Sequence, residues 1–214
     1  NTDSGGYYSL ALPVATNYFV VAWRPWNAGP DDWHVSTYYN QKFGSRLADL
    51  LWTNAGSTIS NVNIRVYPGY RIQGSVYYSD GTTAVTNMNV EARDTNTYGL
   101  VSDWEESGGW YELYVPTNLP LCLVAQANDT REEYYDNVYG IENATRIQSS
   151  AMTTVQVDFV LYNWSEDRDG DGLADWREDS RPDGVYNPVE DFADLTGMDT
   201  DGDGFDDYGE WVGG

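Results

Sequence analysis

Two stretches near the C-terminus carry the residue types best suited to chemistry. Asp167, Asp169, Asp171, Asp175 and Glu178 stand at positions 1, 3, 5, 9 and 12 of one twelve-residue stretch, and Asp199, Asp201, Asp203, Asp207 and Glu210 repeat that spacing in a second. Gly172 and Gly204 occupy position 6 of each, where a sharp turn needs a residue without a Cβ. Five carboxylates gathered within a few ångströms repel one another unless a hard cation lies among them. Oxygen donors on this schedule, with Gly at position 6 and Glu at position 12, form a calcium loop, in which position 7 adds a backbone carbonyl, here from Leu173 and Phe205. The expectation is about two Ca2+ ions, one for each loop. The spacer between the loops offers Asp183, Glu190, Asp191 and Asp194 as further oxygen donors.

Other chemistry has thinner support. His34 is the only histidine, and no Gly-x-Ser-x-Gly or phosphate-binding loop occurs, so neither a His-based triad nor a zinc cluster is expected. Asp31 with Asp32, and Asp103 with Glu105 and Glu106, offer paired carboxylates of the kind a glycosidase uses, but such acids are commoner in solvated turns. The chain is therefore expected not to be an enzyme. Trp23, Trp26, Trp33, Tyr38 and Tyr39 crowd one segment, where they either fill a core or offer a stacking surface to polysaccharide.

The formal charge of −23 excludes a general nucleic-acid or anionic-membrane surface. Of the 34 acidic residues, 17 follow Asn163, against three arginines, so the charge belongs mostly to the tail that metal would neutralise. Cys122, the single cysteine, permits no internal disulfide, and its apolar neighbours predict a buried small side chain. No apolar run is long enough to span a membrane. Loops of this kind work where calcium is abundant, which predicts an extracellular or cell-surface location.

The elements that must position the loops read as strands. Period-two alternation rich in Val, Ile and aromatics predicts strands over 7–12, 18–23, 62–67, 70–78, 88–93, 110–115, 121–127 and 155–161, separated by Gly-containing turns. The chain also repeats itself. Residues 4–13 recur as 107–116, Phe19-Val20-Val21-Ala22 as Cys122-Leu123-Val124-Ala125, Tyr38-Tyr39-Asn40 as Tyr134-Tyr135-Asp136, and 62–66 as 157–161. The first copy lacks the counterpart of 70–103, which leaves three readings: a fragment of a longer protein, a reduced sandwich closed by its own neighbour, or a sandwich completed by strands from another molecule. The reading is all-β: two tandem immunoglobulin/transthyretin-like β-sandwiches over 1–68 and 69–162, the first incomplete at its N-terminus, followed by an irregular calcium-loop tail over 163–214.

The order Gly74-Ser75-Val76, Asp80-Gly81-Thr82-Thr83, Val90-Glu91-Ala92, Gly109-Trp110-Tyr111-Glu112-Leu113, Pro116 and Leu123-Val124-Ala125 resembles carboxypeptidase regulatory-like domains, which implies transthyretin-like or immunoglobulin-like spacer and assembly modules of secreted bacterial proteins. The tail resembles bacterial relatives of thrombospondin type 3 repeats. An EF-hand pair fits less well, because 155–161 alternates as a strand where an entering helix is needed, and position 8 holds Ala174 and Asp206. A dockerin is disfavoured by Pro182, Gly184 and Pro188. Together these imply a calcium-stiffened, non-enzymatic subunit of a fibre, stalk or adhesive surface layer. Its partners would be other copies of itself, polymerising head-to-tail by strand complementation, or neighbouring surface domains. The alternative is an accessory module of a larger secreted hydrolase, contacting carbohydrate through Trp23, Trp26 and Trp33.

Overall fold

The computed structural model describes residues 2–13, 16–23, 34–43, 47–106, 108–181, 187–188 and 191–213, with main chain only at 104–106. Trp26, Trp33, Asp31, Asp32, Asp183 and Glu190 lie outside these residues. The fold is all-β, and α-helix among the described residues is confined to α1 (Asp175–Glu178) and α2 (Asp207–Gly213). Among the described residues no helix is long and apolar enough to cross a membrane.

The best-formed part is a two-sheet sandwich. One sheet runs β11 (Glu133–Tyr134), β10 (Leu121–Ala127), β7 (Met88–Asp94), β8 (Leu100–Glu106), with neighbours antiparallel. The other is built on the twelve-residue β6 (Tyr67–Tyr78), which pairs antiparallel with β9 (Trp110–Pro116) and parallel with β12 (Thr154–Gln156) and β13 (Phe159–Leu161). Alternation along β6 and β9 sends Tyr70, Ile72, Val76, Tyr111, Leu113 and Val115 inward, where they meet Val90, Ala92, Leu121, Leu123 and Ala125 of the facing sheet in one buried cluster. Cys122 is buried as its apolar setting predicts.

Gly74 is required where the two edges of β6 crowd. A Cβ there would fall 1.6 Å from the Val157 carbonyl oxygen and 3.0 Å from the Tyr111 ring. The Tyr111 hydroxyl crosses β6 at this point and donates to Val157 O at 2.8 Å. The residues between β12 and β13 carry that carbonyl inward, so the single strand expected over 155–161 is two short ones, 154–156 and 159–161. β8 was not expected. Its Ser102, Asp103, Glu105 and Glu106 mask a strand pattern, and it pairs with β7 alone, as a sheet edge that tolerates charge.

The described residues among 2–66 repeat several main-chain pairings of the second half of that sandwich. β2 (Val21–Ala22) pairs β4 (Thr37–Tyr38) as Val21↔Tyr38 and Ala22↔Thr37, the counterparts of Val124↔Tyr134 and Ala125↔Glu133. Tyr39 N–H donates to Val20 O as Tyr135 N–H does to Leu123 O. Left-handed Asn40 and Gln41 match left-handed Asp136 and Asn137, and Gly6 (φ 81°) matches Gly109 (φ 71°). β1 (Asn17–Tyr18) pairs β5 (Leu51–Trp52), and its Tyr18↔Leu51 contact matches the Leu121↔Ile147 bridge. β3 (His34–Val35) pairs the start of β6. Of the strands expected over 7–12 and 62–67, only Tyr67 enters a strand among the described residues, as the first residue of β6. Their pattern is that of β9 and β12–β13, whose partner is β6, and no described residue lies in the β6 position beside them.

Candidate metal centre

Both acidic loops fold by the same hydrogen bonds. In the first, Gly170 and Gly172 N–H donate to the two oxygens of Asp167 at 2.7 and 3.1 Å, Asp171 N–H donates to Asp169, and Leu173 N–H donates to Asp171. In the second, Gly202 and Gly204 donate to Asp199 at 2.8 and 2.9 Å, Asp203 N–H to Asp201, and Phe205 N–H to Asp203. Gly170, Gly172, Gly202 and Gly204 all have φ between 75° and 100°. Position 4 therefore needs a glycine as much as position 6 does, although only position 6 was singled out from the sequence. These turns aim three carboxylates inward in each loop: Asp167, Asp169 and Asp171 form one group, and Asp199, Asp201 and Asp203 another, each with oxygens within 4.8 Å of one another.

The position-9 acids have a second task. Asp175 Oδ1 accepts from Arg168 N–H at 2.8 Å, and its Oδ2 lies 2.9 Å from Arg168 Nε. Asp207 likewise accepts from the N–H and hydroxyl of Thr200 at 2.9 and 2.7 Å. Each closes its loop by holding position 2, and Asp175 stands outside the three carboxylate groups. Leu173 and Phe205 sit at the turn after the third aspartate, the first side chain buried and the second exposed. Burial lifts Asp175 to about 6.

The loops do not stand apart. Asp169, Glu178 and Asp207 form a third group with oxygens within 4.8 Å, joining positions 3 and 12 of the first loop to position 9 of the second. Tyr208 N–H, in the first turn of α2, donates to Asp171 Oδ2 at 2.9 Å. Glu178 is fully buried, and among the described residues neither carboxylate oxygen has a hydrogen-bond partner. Burial, followed by the charges of Asp169, Asp171, Asp175 and Asp207, pushes it up to about 8. Burial also raises Asp169, and Glu210 is raised by desolvation and the acids of its own loop. A buried, unpartnered carboxylate facing two others is costly unless it is protonated or neutralised. The donor set is all oxygen, so what fits is a hard cation. These groups can hold metal ions.

Of the spacer acids, Asp191 accepts from Ser180, Arg181 and Asn187 N–H, and Asp194 accepts from Thr196. Both tie the spacer together and neither joins a carboxylate group.

The tail is anchored to the second sandwich by residues that no motif marks. Buried Asp179 accepts from the Tyr162 hydroxyl at 2.6 Å. Arg131 stacks between Tyr139 and Trp176, at 4.0 and 4.3 Å from their centroids, and Trp176 meets Trp164 edge to face. Glu166 bonds Ser79 at the end of β6. Buried Glu133 lies near enough to Asp179 for the two charges to raise its pKa beyond what burial does.

No family model matches the chain. No curated protein matches it either. Among solved structures, one described as "Crystal Structure of S.CueP" is similar over 53% of this chain and 73% of that chain, at 12% identity and a TM-score of 0.29. At that score the likeness bears on neither the fold nor the chemistry of this chain.

Proposed function

We propose that the chain is a non-enzymatic, extracellular calcium-binding structural module, whose tail is ordered by cations and held against the preceding sandwich. Glu178 carries this reading: a fully buried carboxylate without a hydrogen-bond partner, set against Asp169 and Asp207, wants a counter-charge. Asp167, Asp169 and Asp171 would hold one ion, Asp199, Asp201 and Asp203 a second, with Glu178 and Asp207 linking them. Calcium rather than magnesium suits sites rich in carboxylate on a flexible loop, since magnesium keeps much of its water. Bound cations would supply charge neutralisation and ordering, not catalysis.

The resemblances to carboxypeptidase regulatory-like domains and to thrombospondin type 3 repeats support the same picture of a spacer in a fibre, stalk or adhesive layer. Calorimetric titration tests it, with Asp171→Ala and Asp203→Ala each removing part of the heat while the β-sheet circular dichroism stays unchanged. A second reading, polysaccharide binding, draws on Trp23, which is 63% exposed. Loss of pull-down on insoluble polysaccharide by Trp23→Ala would favour it.

A further inference from the structure

A cleft of about 610 Å³ opens where the tail meets the second sandwich, within the roughly 300–1,000 Å³ usual for small-molecule sites. One wall is the turn segment that follows β11. Asp136 there has a left-handed backbone (φ 76°) and accepts from the Thr145 hydroxyl at 2.7 Å, and Asn143 N–H closes a turn on Gly140 O at 3.0 Å. The other wall is tail, Ser180 and Arg181, whose N–H groups both donate to Asp191. Arg131 completes the lining.

Arg131 is the informative residue. Its guanidinium lies 4.0 and 4.3 Å from the ring centroids of Tyr139 and Trp176, and among the described residues no carboxylate pairs with it. With 34 acidic residues against 11 basic ones, the chain does not lack carboxylates to offer. The rings fix the planar fork and leave its N–H donors for a ligand. Partial burial lowers the Arg131 pKa, a cost that a bound anion would offset. A second guanidinium faces the same cleft: Arg181 Nη2 lies 3.9 Å from Asp136 Oδ1, the long end of ion-pair range.

We propose that this cleft binds an acidic sugar, with Arg131 and Arg181 holding its carboxylate and Asp136, Glu142, Asn143 and Ser180 taking its hydroxyls. The mixture of charges selects the ligand class. Phosphate or an acidic peptide would satisfy the arginines but set further negative charge against Asp136 and Glu142. A neutral sugar would satisfy the two acids and leave Arg131 without a counter-charge. A hexuronate carries one carboxylate for the arginines and several hydroxyls that donate to the carboxylates and to the Asn143 amide oxygen. The cleft includes neither Trp23 nor any carboxylate of the three metal groups, so its test is separate from the calcium reading and from the polysaccharide reading.

The experiment is calorimetric titration of the whole 214-residue chain with a hexuronic acid disaccharide and with its methyl ester, at the same millimolar calcium throughout. Expected are saturable binding of the acid, binding of the ester at least about tenfold weaker, and new hydrogen-exchange protection at 139–143 and 180–181. Arg181→Gln, at a side chain 41% exposed, should weaken the acid by a similar factor without lowering the melting temperature. No binding up to ten-millimolar disaccharide, equal binding of acid and ester, or protection confined to other segments would overturn the proposal. Acetate or a glutamate dipeptide competing as well as the disaccharide would reduce the cleft to a simple anion site and overturn the choice of a sugar.

Discussion

Replacing Glu178 by glutamine should stabilise the metal-free protein and weaken its hold on calcium, two effects of opposite sign from one atom exchange. Glu178 is fully buried, its oxygens have no hydrogen-bond partner, and its pKa stands at about 8 against an ordinary 4.5. Between those values the unfolded chain has released the proton while the folded chain keeps it, so metal-free stability falls as pH rises from about 4.5 to about 8 and is flat beyond. At pH 7.5 a shift of that size corresponds to at most about 4 kcal/mol. Glu178→Gln removes the ionisation and with it that slope. With calcium bound the sign reverses, because the ion neutralises the carboxylate and the amide is a poorer ligand. The assay is thermal unfolding, followed by tryptophan fluorescence, at pH 5 and 7.5 in chelator and in calcium. Wild type should melt higher at pH 5 than at pH 7.5 in chelator, and the variant should show a smaller difference, the part left by Asp175 and Glu133. A variant less stable than wild type at pH 7.5 in chelator would refute the reasoning.

Three further outcomes follow from packing. Leu113→Ala should cost roughly 2–5 kcal/mol in urea unfolding by opening a core cavity, whereas its counterpart Leu10→Ala should cost less than about 0.5 kcal/mol, since Leu10 is solvent-exposed. Gly74→Ala should destabilise the sandwich by more than about 1 kcal/mol, measured by the same unfolding, because the added carbon falls 1.6 Å from a carbonyl oxygen. Tyr162→Phe leaves buried Asp179 without its 2.6 Å donor and should cost about 1–3 kcal/mol, read as faster proteolysis of the tail with the sandwich intact.

What the sequence made legible is what local pattern controls. Period-two alternation placed β6, β7, β9 and β10 within a few residues, and internal repetition marked as equivalent the segments that pair as Val21↔Tyr38 and Val124↔Tyr134, though not that they pair. Residues 7–12 carry the same pattern as β9 but make no ladder, because pairing depends on a neighbour that pattern cannot supply. The acidic β8 hid because an edge strand need bury only part of one face. In the loops, the carboxylate schedule was readable, since it rests on turns closed by Asp167 and Asp199. The meeting of Asp169, Glu178 and Asp207 was not, since it depends on how one loop lies against the next. Asp175 and Asp207 show the same limit: spacing gives their position, but only the fold shows them turned back on Arg168 and Thr200.

Calcium titration of the whole chain, with hydrogen exchange read over 163–213 before and after, tests the central claim most directly. The account predicts heat release saturating by millimolar calcium, at least about two ions per chain, protons released on binding, and new protection in both loops. Absence of heat and of any change in protection at millimolar calcium would contradict it.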